Sequence, residues 1–347
     1  MDKGVRSNLW VMLLAGGRGE RLWPLSRAEV PKPFLRMSGG KSLLRDTLDR
    51  ALSVAPPDRI RILAGDDLSG LIRKDLGKTW GRRILREPAS RNTGPACLLA
   101  ASWLSSRDSQ STMLVLPSDH RIDGIAAFRR DVARARALAE GGHLITFAIP
   151  PTGPSADFGY LVPGEPIRGD GRKVSRFIEK PPQGRARLLL RRGALWNSGI
   201  FCWKTASFLD EASRAQQTYR RWLENAGGAR HFARLPALPV DRSVLERSRR
   251  VAMVRARFTW SDVGSWERLS AGARKDRQGN LLHGEVVAIQ SSRNLVYREE
   301  GRCVLWGVDD LALLEAGGTL LICPRNRLSS LRQLLRTLRR KGGHHGF

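Results

Sequence analysis

Short apolar runs alternate with longer amphipathic ones along the first part of the chain. WVMLLA (10–15) is continuously apolar, the pattern of a strand buried on both faces. SLLRDTLDRALSVA (42–55) carries Leu44, Leu48, Ala51, Leu52 and Ala55 on one helical face. RIRILAG (59–65) predicts a strand, DLSGLIRKDLGKTW (67–80) a helix and RRIL (82–85) a strand. TGPACLLAASWLSS (93–106) predicts a helix with Thr93 as N-cap and Pro95 in the first turn. STMLVLPSDH (111–120) predicts a strand ending in a polar loop, AAFRRDVARARALAEGG (126–142) a helix stopped by glycines, and HLITFAI (143–149) another strand. Such alternation implies an α/β fold, a Rossmann-like, mainly parallel (mixed) sheet flanked by helices, with ligands beyond the carboxyl ends of its strands.

The middle is less regular. VSRFIEK (174–180) and WNSGIFCW (196–203) predict strands around a helix, RARLLLRR (185–192), and a further helix covers about 205–224. Near residue 270 the texture changes. GEVVAIQ, NLVYREE, CVLWGV, LALLEAG and TLLICP are short apolar strands at close intervals, closed by a basic helix at 329–341. The expected division is therefore 1–270 and a small β-rich, β-helix-like domain at 271–347; no exact repeat is evident.

The first strand runs straight into GGRGERL. Gly16, Gly17 and Gly19 permit a sharp turn and bring backbone N–H groups close to a ligand, a concavity that favours anions. Arg18, Arg21 and Lys32 add positive charge. The stretch is neither GxxxxGK[ST] nor GxGxxG, since Leu22 stands where the third glycine would be. On the glycines alone, a phosphate cradle and an ordinary turn with surface arginines are equally good readings.

Composition narrows the class. With 347 residues, 41% of them hydrophobic, the chain can bury a sizeable core in about two domains. No run approaches the ~18 apolar residues of a membrane span, and WVMLLA is followed by GGRGERL rather than a cleavage site, so a cytoplasmic protein is expected. Cys97, Cys202, Cys303 and Cys323 form no CxxC and read as buried free thiols; the histidines form no HExxH, and His344 and His345 read as a frayed end. The formal charge of +27 suggests a polyanionic partner, but the excess arginine is dispersed along the chain, which argues against nucleic acid.

LLAGGRGERLWPLSRAEVPKPFL (13–35) resembles the signature of sugar-1-phosphate nucleotidyltransferases, and its WPLSR insertion is similar to that of mannose-1-phosphate guanylyltransferases. The resemblance continues through EPASRNTGPA (87–96), LPSDH (116–120), DFGYL (157–161), FIEKP (177–181), LWNSGIF (195–201), DRSVLER (241–247) and WSDVGSW (260–266), in the family's order. The chain departs from it with PKPF for PKQF, NTGPA for NTAPA, Asp157 or Phe158 where a glycine or tyrosine is usual, and Pro239-Val240-Asp241 for Ser-Ile-Asp. Asp157 puts the conformation of the sugar loop in question.

The resemblance implies a reaction of a sugar 1-phosphate with a nucleoside triphosphate, giving a nucleotide-sugar and pyrophosphate, with GTP and mannose 1-phosphate as substrates and Mg²⁺ as cofactor. Such a transfer needs charge neutralisation and alignment rather than an enzyme nucleophile. It further implies that Gly16, Gly17, Gly19, Asn92 and Thr93 bind the nucleotide. Arg21 would hold the departing phosphates and Lys32 would sit at the α-phosphate; Asp119 and Asp262 would ligate the metal. Gly159, Glu179, Lys180 and Asn197 would hold the sugar phosphate. Glu87, following a strand, can accept from the N1–H and N2–H₂ of guanine; a surface glutamate before a proline turn is the plainer reading. Trp196, Trp203, Trp260 and Trp266 read as walls and core. A homodimer is the expected assembly. The alternatives are a different sugar 1-phosphate, such as one leading to another GDP-hexose or a GDP-heptose, or a silent regulatory homologue.

Overall fold

The computed structural model describes residues 8–340 apart from 18, 37–39, 226 and 271–273. Arg18, His344 and His345 lie outside the described residues. The chain forms two compact units. One comprises Met1–Gly16 and Leu44–Trp260; the other joins Gly17–Leu43 to Ser261–Phe347. The expected division at 270 is a single cut along the chain. In the structure the glycine-rich signature segment groups with the C-terminal part instead.

The first unit is built on strands β1 (Leu9–Leu14), β2 (Ile60–Ala64), β3 (Ile84–Arg86), β4 (Thr112–Pro117), β5 (Arg121–Asp123), β6 (Leu144–Ile149), β7 (Tyr160–Pro166), β8 (Arg172–Ile178), β9 (Leu195–Lys204) and β10 (Val251–Arg255). Among the described residues, nine of them form one sheet in the order β3-β2-β1-β4-β9-β6-β10-β8-β7. β1 pairs parallel with β2 and β4, as do β2 with β3 and β6 with β10. β9 runs antiparallel between β4 and β6, and its first residues also pair with β7. The mixed sheet thus carries parallel strands at β3-β2-β1-β4 and β6-β10, with antiparallel β9 in its middle and β8 and β7 at the other edge.

Apolar continuity explains the centre: β4 and β6 are almost wholly buried, as their sequences demand. Trp203 stacks between Phe201 (5.1 Å) and Phe208 (4.6 Å) in the main core. Two expected helices are broken. The helix at 67–80 stops at Gly77, whose φ of 94° the helix cannot continue through, and 205–224 divides at Gln216 into Thr205–Ala215 and Gln217–Glu224. The helix Thr93–Ser105 is capped by Asn92, whose side chain accepts from the Thr93 N–H; Thr93, expected as the cap, is its first residue. β7 had no forecast, because Pro163, Gly164 and Pro166 interrupt its apolar pattern. Cys97, Cys202 and Cys303 are buried free thiols and Cys323 is half-buried. No helix among the described residues is long and apolar enough to cross a membrane.

The chain crosses the division along β11 (Thr259–Ser261). In the second unit β12 (Leu281–Ile289), β13 (Leu295–Trp306) and β14 (Leu311–Ala316) stack in parallel, and β15 (Thr319–Pro324) closes the sheet antiparallel. Two buried asparagines tie the stacked coils together. Asn294 donates its N–H to Asn280 Oδ1, and Leu311 donates its own to Asn294 Oδ1. Their amides donate to the Ser291 and Val308 carbonyls. The offset is 14 residues at Asn280–Asn294 and 17 at Glu285–Arg302, and a bulge between His283 and Glu285 absorbs the difference. That irregular spacing hid the β-helix-like repeat from a search for identical sequence. Leu22, Trp23, Leu25 and Leu35 of the signature segment share one core with Val263, Trp266, Leu281, Leu295, Leu331 and Leu335. Trp266 Nε1 donates to the Trp23 carbonyl (3.1 Å), and Arg339, on the basic helix Leu331–Arg340, pairs with Glu20 (3.0 Å).

Candidate active site

In the C-terminal unit the signature segment packs onto its own lysine. Gly19 has a φ of 71°, and a Cβ there would lie 2.5 Å from Lys32 Cβ and 2.7 Å from Ser26 Oγ. Glycine is thus required both by backbone conformation and by close approach. Gly16 differs: a Cβ would meet nothing within 4 Å. Arg21 is the middle residue of the short turn Glu20–Leu22 and is half-buried. Lys32 begins the turn Lys32–Phe34 after Pro31 and is only 7% exposed. Its Nζ donates to the Asp262 carbonyl oxygen at 2.6 Å. The side chain of Asp262 accepts at Oδ2 from Arg268 Nη1 (2.8 Å) and at Oδ1 from the Gly264 N–H (3.3 Å). The structure thereby brings Lys32 and Asp262 together and adds Arg268, a residue just beyond WSDVGSW with no part in the sequence reading.

In the first unit the functional side chains follow the carboxyl ends of β1–β4. Ser118 donates both its N–H and its hydroxyl to the Leu14 carbonyl, locking the end of β4 to β1 immediately before Asp119. Arg50 Nη2 donates to the His120 carbonyl (3.0 Å) from the other side; burial lowers this guanidinium to about 10. His120 Nε2 lies 3.8 Å from Asp119 Oδ1, and His120 Nδ1 accepts from Trp260 Nε1 (3.2 Å). Glu87 follows β3, its N–H donating to the Ala64 carbonyl. Burial, with a smaller contribution from the Asp67 charge, raises its carboxyl to about 7. A solvated surface glutamate would not be displaced in this way.

Asn92 adopts φ 70° and ψ 178°, a conformation sparsely populated by residues with a side chain. Thr93 Oγ1 accepts from the Val240 N–H (2.9 Å), and the Gly94 N–H donates to the Leu238 carbonyl (3.0 Å). A Cβ on Gly94 would lie 2.6 Å from that carbonyl and 2.4 Å from the Tyr219 hydroxyl. Thr93 and Gly94 thus dock on Leu238 and Val240, and a side chain at 94 would collide there.

The four residues expected at the sugar phosphate form a second cluster. A Cβ on Gly159 would lie 2.6 Å from Glu179 Oε2 and 3.3 Å from Asn197 Cβ. The Asn197 N–H donates to the Gly159 carbonyl (2.8 Å), and Lys180 Nζ pairs with Glu179 Oε1 (3.0 Å). Lys180 holds a φ of 47°, another conformation unusual for a side-chain-bearing residue. Asn197 is oriented from both ends: Oδ1 accepts from Thr146 Oγ1 (2.6 Å), and Nδ2 donates to Asp241 Oδ1 (2.7 Å). Burial, then the Glu179 charge, pushes the Asp241 carboxyl well above its usual range. Glu246 Oε1 accepts from the Glu179 N–H (2.8 Å). Asp241 and Glu246 were missed as supporting residues, although both lie inside DRSVLER. Phe158 packs on Trp196 (4.5 Å) and Trp260 (5.3 Å), making an aromatic wall, whereas Trp203 and Trp266 are core. The Asp157 N–H donates to Ser155 Oγ, and Tyr160 OH donates to the Ser155 carbonyl, so the loop is pinned despite the departure at 157.

Among the described residues no three His, Cys, Asp or Glu side chains converge as a metal cage. Mg²⁺ needs no such cage, since one or two carboxylates with phosphates and waters suffice. A carboxylate carries the hard oxygens it prefers, and in the second unit Asp262 Oδ2 already holds a cationic group, Arg268.

Residues 10–279 match the nucleotidyl transferase family model. The chain is 33% identical to a mannose-1-phosphate guanylyltransferase of Salmonella muenchen, over 95% of this chain and 73% of that protein. It is 34% identical to the alginate biosynthesis protein AlgA of Pseudomonas fluorescens, over 95% of this chain and 72% of the other. A crystal structure described as mannose-1-phosphate geranyltransferase from Thermus thermophilus superposes with a TM-score of 0.87 at 33% identity, covering 96% of this chain and 99% of that one. Sequence likeness and the superposed fold agree: the chain belongs to the nucleotidyl transferase family.

Proposed function

We propose that the protein transfers GMP from GTP to mannose 1-phosphate, giving GDP-mannose and pyrophosphate. The observation that carries this reading is the cluster around Gly159. The Glu179 carboxylate reaches over Gly159, which has no side chain, Lys180 pairs with that carboxylate, and Asn197 lies against the same glycine. Carboxylate and amide suit paired hydroxyls, and the ammonium suits a phosphate. Guanine is the base that best matches Glu87, because its pairing edge offers two adjacent donors where uracil offers one.

The transfer is an in-line displacement. A phosphate oxygen of mannose 1-phosphate forms a bond to the α-phosphorus of GTP while the bond to the bridging β-phosphate oxygen breaks, and pyrophosphate leaves with that electron pair. Lys32, buried and fixed by its flanking prolines, supplies positive charge at the α-phosphate, and Arg21 holds the departing phosphates. The glycine loop, Asn92 and Thr93 bind the nucleotide. Asp119 and Asp262 would hold Mg²⁺, which when bound offsets phosphate charge.

Pyrophosphate release measured over four nucleoside triphosphates and several sugar 1-phosphates tests the reading. GTP with mannose 1-phosphate should be the best pair. A different best sugar would reassign the acceptor, and a blank matrix from folded protein with Mg²⁺ would overturn transfer altogether.

A further inference from the structure

Arg268 has a specific place in the fold. It lies on the short helix Trp266–Leu269, where Ser265 caps the first turn by accepting from the Arg268 N–H (3.4 Å). Its Nη1 reaches back to Asp262 Oδ2 at 2.8 Å, and both side chains are about four-fifths buried. The connecting loop is bent to permit this. Val263 holds a φ of 46°, costly for a β-branched residue, and a Cβ on Gly264 would lie 2.3 Å from Asp262 Oδ2 and 2.9 Å from Arg268 Nη1. Lys32 holds the carbonyl of the same aspartate. One cation therefore secures the backbone of Asp262 and a second occupies its carboxylate.

A guanidinium stays charged at any working pH, so its hold on Asp262 is not relieved by titration. A carboxylate oxygen facing it is a poorer ligand for a divalent ion, because the two cations repel and want the same lone pairs. The geometry points to Arg268 as a built-in competitor for the divalent metal at Asp262 and as a further phosphate-binding cation. Metal entry displaces the guanidinium from the carboxylate, and the displaced guanidinium takes the oxygens of the departing pyrophosphate. Arginine suits that exchange, since its planar fork binds carboxylate and phosphate by the same geometry. The inference rests on the proposed function, and in particular on Asp262 as a metal ligand.

The test separates metal affinity from turnover. Mn²⁺, followed by its paramagnetic resonance signal, is titrated into the full chain without nucleotide, and turnover is measured with saturating Mg²⁺, GTP and mannose 1-phosphate. Arg268→Ala should bind Mn²⁺ more tightly, by roughly 3- to 10-fold, and yet turn over about 10- to 100-fold more slowly. Arg268→Lys, which keeps the charge and loses the fork, should fall between wild type and Arg268→Ala in both measurements. A purely structural arginine would weaken both. Should Arg268→Ala not fold, Arg268→Gln keeps part of the stem and an amide donor without the charge and carries the same expectation. Unchanged or weaker Mn²⁺ binding in a folded variant overturns the inference. Asp262→Asn should lose most Mn²⁺ binding. If it does not, Asp262 is no ligand and the inference fails with it, while a positive substrate matrix would leave the transfer reading standing.

Discussion

The Nζ of Lys32 donates to the carbonyl oxygen of Asp262 at 2.6 Å, across 230 positions of sequence. An ammonium carries three donors, so the group that holds the backbone of Asp262 can also serve a phosphate. Lys32→Met should lower kcat by about 10²- to 10³-fold, the range seen when a preorganised donor is removed from a transition state. Lys32→Arg should recover only part of this, because a compact ammonium at a buried position is replaced by a larger planar guanidinium. Wild-type turnover in Lys32→Met would remove the lysine from the phosphate site.

Base recognition should depend on pH, with Glu87 as the proposed base acceptor. Its carboxyl is raised to about 7, so it is protonated below that value and ionised above it. Only the ionised form can accept both guanine donors without presenting a proton of its own. As pH falls from about 8 to about 6, one unit either side of that value, the preference for GTP over ATP should decline, measured as a ratio so that titration of the shared triphosphate cancels. Glu87→Gln should show a weak preference at every pH. A preference independent of pH in wild type would take Glu87 out of the base pocket.

Asp241 accepts from the Asn197 amide at 2.7 Å. Removing its acceptor leaves the Asn197 amide able to turn, so Asp241→Ala should raise the KM for mannose 1-phosphate about tenfold. The KM for GTP should not change. Asp241→Asn keeps an acceptor oxygen and should rescue most of the loss. Equal effects on both KM values would mean that the variant has disturbed the fold instead.

Two glycine substitutions should separate stability from binding. At Gly94 a methyl group meets a backbone carbonyl and a buried tyrosine hydroxyl, neither of which can swing away. Gly94→Ala should therefore lower stability by about 1–3 kcal/mol, read as a fall in Tm. At Gly159 the methyl meets the far end of Glu179. That carboxylate can move aside, so Gly159→Ala should leave Tm close to wild type and weaken sugar-phosphate binding. The reverse pattern would contradict both readings.

Leu335 is buried in the core that also holds Leu22 and Trp23. Leu335→Ala should destabilise by about 2–5 kcal/mol and loosen the turn that carries Arg21. Faster amide exchange at residues 19–25 is the diagnostic result. Exchange confined to the helix Leu331–Arg340 would mean the signature turn holds itself.

Much of the site was readable as motifs because its chemistry is local: a glycine turn after a strand, a lysine between prolines, a carboxylate at a strand end. The central strands were readable because burial on both faces leaves an uninterrupted apolar run. What escaped was support at a distance. Asp241 orients Asn197 from 44 residues away and Arg50 holds His120 from 70, and neither pairing leaves a periodic trace. Arg268 looked like one more arginine in a chain rich in them. The membership of Gly17–Leu43 in the C-terminal unit escaped for the same reason, since only tertiary burial of Leu22, Trp23 and Leu25 reveals it.

The pairing of Glu20 with Arg339 spans 319 positions, which sets a timetable for the nascent polypeptide. At about 5–20 residues per second the ribosome delivers the arginine roughly 15 to 60 s after the glutamate. Throughout that interval Leu22 and Trp23 lack their final cover and are exposed to chaperones and proteases. Competence for catalysis should therefore arrive late in translation, well after the first sheet has formed.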